Sequence, residues 1–328
     1  MSITLPDGPW QTHTHPAMNT LFTIRLKMVD DRKSAALTSE CFRQLENLES
    51  LFSRYREDSD ISAVNNLRAG ESLLLHEETW SCLRIALEAH AMTGGLFDVT
   101  IGSLTAPEHQ SELHGRLSLN PDRPEITCIE PGRQLDLGAI GKGYALDRMA
   151  DTLRELDASD VLLSAGASTH LAIGNSIWPM ELAGDAESLT IELQNNSLSA
   201  SGTGIQGAHI IHPLRKVTET PNPVASSGMA VPAMSGQLSS AGRRCHIPSA
   251  EITGLRDASL PRRVWVVAKS AALSDALSTA CFLATAAERE EFLSAIPDLT
   301  GIVVENHDGM TKIFKPSLPS RDKSTGFP

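Results

Sequence analysis

Aromatic side chains are scarce in this chain, at 4% of its 328 residues with only two tyrosines, so aliphatic packing must fill the core. Positive charge is in deficit as well. The formal net charge of −12 argues against a nucleic-acid partner held through its phosphates. An anionic ligand is not excluded, but its repulsion must then be offset locally by a metal ion or a helix N-terminus. The five cysteines (Cys41, Cys82, Cys128, Cys245 and Cys281) are odd in number and scattered, with no CxxC pair. They read as reduced, buried thiols of a cytoplasmic protein. No apolar run approaches the roughly 18 residues of a membrane span. The N-terminal MSITLPDGPWQTHTHPAMNT has no basic start, apolar core or lipid-accepting cysteine, so a soluble, unexported chain is expected. The glycine turn at 138–143 fits neither GxxxxGK[ST] nor GxGxxG, and GxSxG and HExxH are missing from the chain, which removes the familiar hydrolase signatures.

What is present is an ordinary globular composition, 41% hydrophobic, long enough for one large domain or two modest ones. Apolar spacing predicts helices over Ser34–Arg54, Glu77–Thr93, the stretch after Gly143 to Leu156, Ser270–Ala284 and Ala287–Ile296. Strands are expected at Leu21–Met28, Arg133–Leu137, Val161–Ser164, His170–Ile173, Pro179–Ala183, Leu189–Leu193, Ser197–Ser201, Arg263–Ala268, Gly301–Glu305 and Thr311–Lys315. Helices and strands mix without a βαβ rhythm, which favours an α+β fold over a doubly wound sheet. A Pro-, Ser- and Gly-rich tract at 217–260 reads as a long loop or disordered insertion, and 316–328 as a polar tail.

Five segments could carry chemistry. Leu135–Asp147, LDLGAIGKGYALD, is a strand, a glycine turn and a helix start, with Lys142 adding charge where backbone N–H groups are exposed. A tight turn with a solvated lysine is the plainer alternative. Ser274–Phe282, SDALSTACF, puts Asp275, Ser278 and Thr279 on one helical face. A carboxylate and hydroxyls there could hold a hard cation, or Asp275 could simply favour the helix dipole. Thr93–Gly102, TGGLFDVTIG, is a helix stop with Phe97 either in the core or at a ligand, and in Ser53–Ser62 Tyr55 could stack on a flat ring or cap the core. His209 and His212 in AHIIHP make a poor zinc pair, since a strand turns i and i+3 to opposite faces and no third ligand is near.

In order along the chain, Met18-Asn19-Thr20, SRYREDSDIS, TGGLFDVTIG, LDLGAIGKGYALD, the small-residue turn after VLLS, HIIHP and SDALSTA resemble the ApbE family of flavin transferases, from about Met18 to Ala284. The resemblance implies a single, T-fold-like α+β domain over 18–315, after an extension at 1–17, with mixed, mostly antiparallel sheets and flanking helices. It implies Mg²⁺-dependent transfer of FMN from FAD onto a Thr or Ser hydroxyl of a target protein, forming a phosphoester and releasing AMP. By position, Met18 and Tyr55 would flank the flavin, and Leu96, Phe97, Asp98, Asp136, Lys142 and Ile211 would contact FAD. Ala139, through its carbonyl, Asp275 and Thr279 would hold Mg²⁺, and Asp275 is the candidate proton acceptor. The chain departs from the family pattern at Asn19, where many members have Gly. It departs again at Ser164–Ser168, in place of N-x-G-G-[DN], and at His209–Lys216, where His212, Arg215 and Lys216 replace Asp, Thr and Gly. The alternatives are a non-catalytic FAD-binding homologue and an Mg²⁺-dependent FAD pyrophosphatase.

Overall fold

Alternation along the strands decides the architecture. In Val161–Ala165 the side chains of Val161, Leu163 and Ala165 enter one core and Leu162 enters a second. In Arg263–Ala268, Val264, Val266 and Ala268 face the first core, and Trp265 and Val267 the second. A strand buried on both faces belongs to a sheet covered on both sides. The computed structural model describes residues 1–27, 30–105, 113–184, 188–202, 260–306 and 309–314.

In chain order the strands are β1 Ser2–Ile3, β2 Trp10–Ala17, β3 Thr20–Lys27, β4 Ser72–Leu74, β5 Arg116–Leu119, β6 Glu125–Glu130, β7 Val161–Ala165, β8 Thr169–Ile173, β9 Trp178–Ala183, β10 Ser188–Leu193, β11 Ser197–Gly202, β12 Arg263–Ala268, β13 Leu299–Asn306 and β14 Gly309–Phe314. The helices are α1 Asp31–Phe52, α2 Asp60–Asn65, α3 Glu77–Met92, α4 Gly102–Thr105, α5 Gly141–Glu155, α6 Ala271–Leu283 and α7 Ala286–Ala295. The central sheet has eight strands in the order β14-β13-β12-β11-β8-β7-β3-β2. Helices α1, α3, α5 and α6 share the large core on one of its faces. The sheet β1-β9-β10 covers the other face around Trp178 and Trp265, and β4-β6-β5 forms a third sheet. The ladders pairing these strands are antiparallel. The architecture is α+β, as expected.

Helix α1 shows why the helices lie where they do. Leu37, Cys41, Leu45, Leu48 and Phe52 recur at three- and four-residue steps and are all buried. Each large apolar side chain so buried contributes about 1.5–3 kcal/mol. Asp30 starts the helix by accepting the N–H groups of Arg32 and Lys33. Helix α6 is buried nearly all round and correspondingly central, with Leu277, Ala280, Cys281 and Phe282 in the core.

The structure corrects one expected element and adds others. Arg133–Leu137 is not a strand. Its ties to neighbouring backbone include an isolated bridge from Gln134 to Ile101 and a bond from Asp136 N to Val99 O at 2.7 Å, short of a ladder. The Asn65 side chain takes the place of a neighbouring strand, accepting from Leu135 N at 2.6 Å and donating to Leu135 O at 3.1 Å. Before Met18, Trp10–Ala17 is the edge strand of the central sheet, hydrogen-bonded to β3 along its length. Most of the 217–260 tract lies outside the described residues. Cys41, Cys82, Cys128 and Cys281 are buried free thiols. Burial pushes the thiols of Cys41 and Cys281 up to about 12, which leaves them unreactive.

Candidate active site

Three structural elements converge on a cleft of about 360 Å³ lined by Met18, Asn19, Phe52, Arg54, Tyr55, Asp136, Gly138 and Lys142 among others. The size suits a small-molecule ligand. Its first wall is the β2–β3 hairpin, whose two-residue turn is Met18-Asn19 between the paired Ala17 and Thr20. Both turn residues have positive φ, +49° and +57°, as a two-residue turn of this hand requires. Asn tolerates that conformation; Met does so at a cost of order 1–3 kcal/mol. Glu49 of α1 helps to hold it, its carboxylate accepting from Met18 N at 2.6 Å.

The second wall is the end of α1. Arg54 spans from there to the opposite side, its Nη1 2.7 Å from Asp136 Oδ2 and its Nη2 donating to Gly102 O at 2.9 Å. Asp136 also accepts from Gly138 N at 2.9 Å, which shapes the glycine turn. Tyr55 stands at the mouth, 81% exposed, with the Arg54 guanidinium 5.6 Å from its ring centre.

The third wall is the N-terminus of α5. Ile140 caps it without a side-chain hydrogen bond, and its first turn contains no acidic residue. The N–H groups of such a terminus attract anions. A carboxylate from elsewhere in the chain already exploits this. Asp275 of α6 accepts from Gly143 N at 3.1 Å through Oδ2 and from Thr169 Oγ1 at 3.2 Å through Oδ1. Lys142 Nζ lies 3.4 Å from Asp275 Oδ2 and donates to Gly138 O at 3.0 Å. Asp275 is thus one contact behind the cleft wall.

The register of α6 is fixed by its contacts with α5 and β11. Asp147, one turn further along α5, accepts from Ser270 Oγ at 2.7 Å and from Ala271 N and Ala272 N at 2.8 Å each. Burial raises its carboxyl above the ordinary range, opposed by those donors. Along β11, Ser199 pairs with Ser274 at 2.9 Å and Ser201 with Ser278 at 2.8 Å, while Ser201 and Thr279 are 3.4 Å apart. Small hydroxyl residues thus hold the helix close to the sheet on the face that carries Asp275. The pairings span 75 and 77 residues, so no local pattern could reveal them.

The predicted residues that the structure describes divide into three groups. Met18, Tyr55, Asp136 and Lys142 line the cleft, with Asp275 in contact with Lys142. Ala139 sits half-buried in the glycine turn, and half-buried Thr279 lies one helical turn from Asp275. Leu96, Phe97 and Asp98 point their side chains into the protein instead. Asp98 accepts from Thr100 N and Thr100 Oγ1 at 2.7 Å each and lies 3.4 Å from the buried Arg133 guanidinium. Ile211 and the altered His209–Lys216 loop lie outside the described residues. In the altered Ser164–Ser168 turn, Gly166 is kept at φ +58°, and a Cβ there would fall 2.4 Å from Thr20 Oγ1.

Among the described residues no three His, Cys, Asp or Glu side chains come together as a metal cluster. An ion at Asp275 would therefore draw on hydroxyl, carbonyl and ligand oxygens. Such a donor set is purely oxygen and suits a hard cation such as Mg²⁺.

Fold and cleft together define an α+β protein with a helix-terminated cleft that carries Arg54 and Lys142 and is backed by the buried carboxylate of Asp275. The ApbE family model matches residues 18–303, and the chain belongs to that family. A protein of Klebsiella pneumoniae (strain 342) named FAD:protein FMN transferase is 26% identical over 189 residues, 51% of this chain and 60% of its own length. One of the same name from Vibrio cholerae serotype O1 (strain ATCC 39541 / Classical Ogawa 395 / O395) is 25% identical over 233 residues, 60% of this chain and 70% of its own. The match thus spans less than two thirds of the Klebsiella relative. The fold of Pseudomonas stutzeri flavinyl transferase ApbE, apo form, superposes with a TM-score of 0.71 at 20% identity, covering 95% of this chain and 96% of that one. Flavin Transferase ApbE from Vibrio cholerae gives 0.69 at 19%, covering 94% and 98%.

Proposed function

We propose that this protein transfers the FMN half of FAD to a threonine or serine hydroxyl of an acceptor protein and releases AMP. The observation that carries the reading is the meeting of Asp275, Lys142 and the N-terminus of α5 at the cleft. It is the kind of place a diphosphate needs in a protein of net charge −12. The names of the relatives support the same reading.

In this reading the FAD diphosphate lies at the start of α5, where Lys142 and the positive end of the helix meet its charge. Met18 and Tyr55 flank the flavin, and the Arg54–Asp136 pair holds the cleft open between them. Asp136 and Lys142 contact FAD, as does Ile211. Leu96, Phe97 and Asp98 would meet it through their main chain, since their side chains are buried. The acceptor oxygen forms a bond to the phosphorus of the FMN half, and the bridging P–O bond breaks toward AMP. The hydroxyl proton passes to Asp275, whose carboxylate has room beyond its present donors. Asp275, Thr279 and the Ala139 carbonyl would hold Mg²⁺, which when bound neutralises phosphate charge as a Lewis acid.

Incubation with FAD, Mg²⁺ and a candidate acceptor tests the proposal, with AMP followed by chromatography and covalent flavin by fluorescence after denaturing electrophoresis. AMP and labelled acceptor in equal amounts support it. AMP with free FMN and no labelled protein would make the protein a pyrophosphatase. Bound FAD without AMP would make it a binding homologue.

A further inference from the structure

We propose that Lys142 is the counter-ion of Asp275 in the ligand-free protein, and that a diphosphate must draw it away before a divalent cation is seated. This rests on the reading of Asp275 as the cation's carboxylate. Lys142 Nζ bridges Gly138 O at 3.0 Å and Asp275 Oδ2 at 3.4 Å, with only 11% of its side chain and 6% of that of Asp275 exposed. An ionised carboxylate offers about four acceptor positions. Gly143 N and Thr169 Oγ1 take two, and both are fixed, one in the backbone of α5 and the other on β8. Lys142 is the third partner and the one that can move, because its ammonium rides on a flexible four-carbon stem.

A cation at Asp275 would meet that ammonium at close range and be repelled. The same lysine lines the cleft beside Gly138 and Gly141. A diphosphate at the start of α5 therefore offers it a better partner than the carboxylate, and the vacated acceptor position passes to the metal. The two ligands then assist each other, and by linkage each raises the affinity of the other equally. The arrangement also keeps a buried carboxylate paired whenever no ligand is present.

Mn²⁺ serves as the probe, its free ion counted by electron paramagnetic resonance, and ADP as the diphosphate, on the full chain. In Lys142→Met, Mn²⁺ alone should bind at least about tenfold more tightly than to wild type, and the gain from added ADP should shrink. Lys142→Arg keeps the charge and should behave like wild type. Mn²⁺ affinity that is unchanged or weaker in Lys142→Met, while Asp275→Ala abolishes binding, overturns the role of Lys142 and leaves the metal assignment standing. Mn²⁺ binding in the presence of ADP that survives Asp275→Ala overturns both.

Discussion

Gly143 donates its backbone N–H to Asp275 at 3.1 Å, and a Cβ added to Gly143 would lie 2.2 Å from the Ala271 carbonyl oxygen. The second fact explains the first. Helices α5 and α6 touch backbone to backbone at their N-terminal ends, and only glycine permits it. Gly143→Ala should push the helices apart and weaken the Asp275 contact. Overpacking of this kind costs typically 1–3 kcal/mol, and a clash with main chain that cannot rotate away belongs at the upper end. Urea unfolding measures it; a loss below about 0.5 kcal/mol would show that the helices separate freely.

Asp147 holds the same junction from the other side. Asp147→Ala leaves Ser270 Oγ and the N–H groups of Ala271 and Ala272 without their acceptor. Each buried unsatisfied group costs about 1–3 kcal/mol, so a loss of several kcal/mol is expected on denaturant unfolding. Asp147→Asn retains one acceptor oxygen and should fall between alanine and wild type. Equal stability of the two variants would contradict the capping role.

Arg54 is expected to matter for ligand binding more than for chemistry. Arg54→Met removes both the Asp136 pair and the tie to Gly102 O. FAD affinity, followed by quenching of flavin fluorescence, should fall about tenfold or more, since one partner of a largely desolvated pair is left behind. An unchanged affinity would mean that this wall of the cleft does not meet the ligand.

His170 gives the fold a dependence on pH. Burial pulls its imidazole down to about 4 from the ordinary 6.5. Its Nδ1 is 2.9 Å from Ser164 Oγ, and its Nε2 has no hydrogen-bond partner among the described residues. A depressed histidine favours the folded state fully above pH 6.5, and this contribution is lost as the pH falls from 6.5 through 4. The difference amounts to roughly 3 kcal/mol. Unfolding of wild type and His170→Gln at pH 7 and pH 4.5 isolates the effect. The wild type should lose more stability than the variant, and parallel losses would contradict the assignment.

The helices were legible because their apolar spacing is regular and they bury one face. Ser34–Arg54 was expected where α1 runs Asp31–Phe52, and Ser270–Ala284 where α6 runs Ala271–Leu283. Strand β2 was not legible. On the helix side it carries His13 and His15 rather than aliphatic residues, which meet Ser34 at 2.8 Å and Glu46 at 3.1 Å, so the usual apolar alternation is missing. The third sheet was hidden because β4 is three residues long and leaves Leu74 71% exposed. Arg133–Leu137 misled in the opposite direction, since it carries a strand pattern but Asn65 takes the ladder bonds of Leu135. At the site, the glycine turn and the aspartate helix were both visible as segments. Their meeting was not, since Gly143 and Asp275 are separated by 132 residues.

In the proposed function Asp275, with Lys142 and the start of α5, forms the site for the FAD diphosphate and its cation. The most direct measurement is FAD binding by flavin fluorescence, titrated with and without Mg²⁺, for the wild type and Asp275→Ala. The expected result is binding that tightens on addition of Mg²⁺ in the wild type and ignores Mg²⁺ in the variant. Equal tightening by Mg²⁺ in both proteins, or no FAD binding by the wild type in either condition, would contradict it.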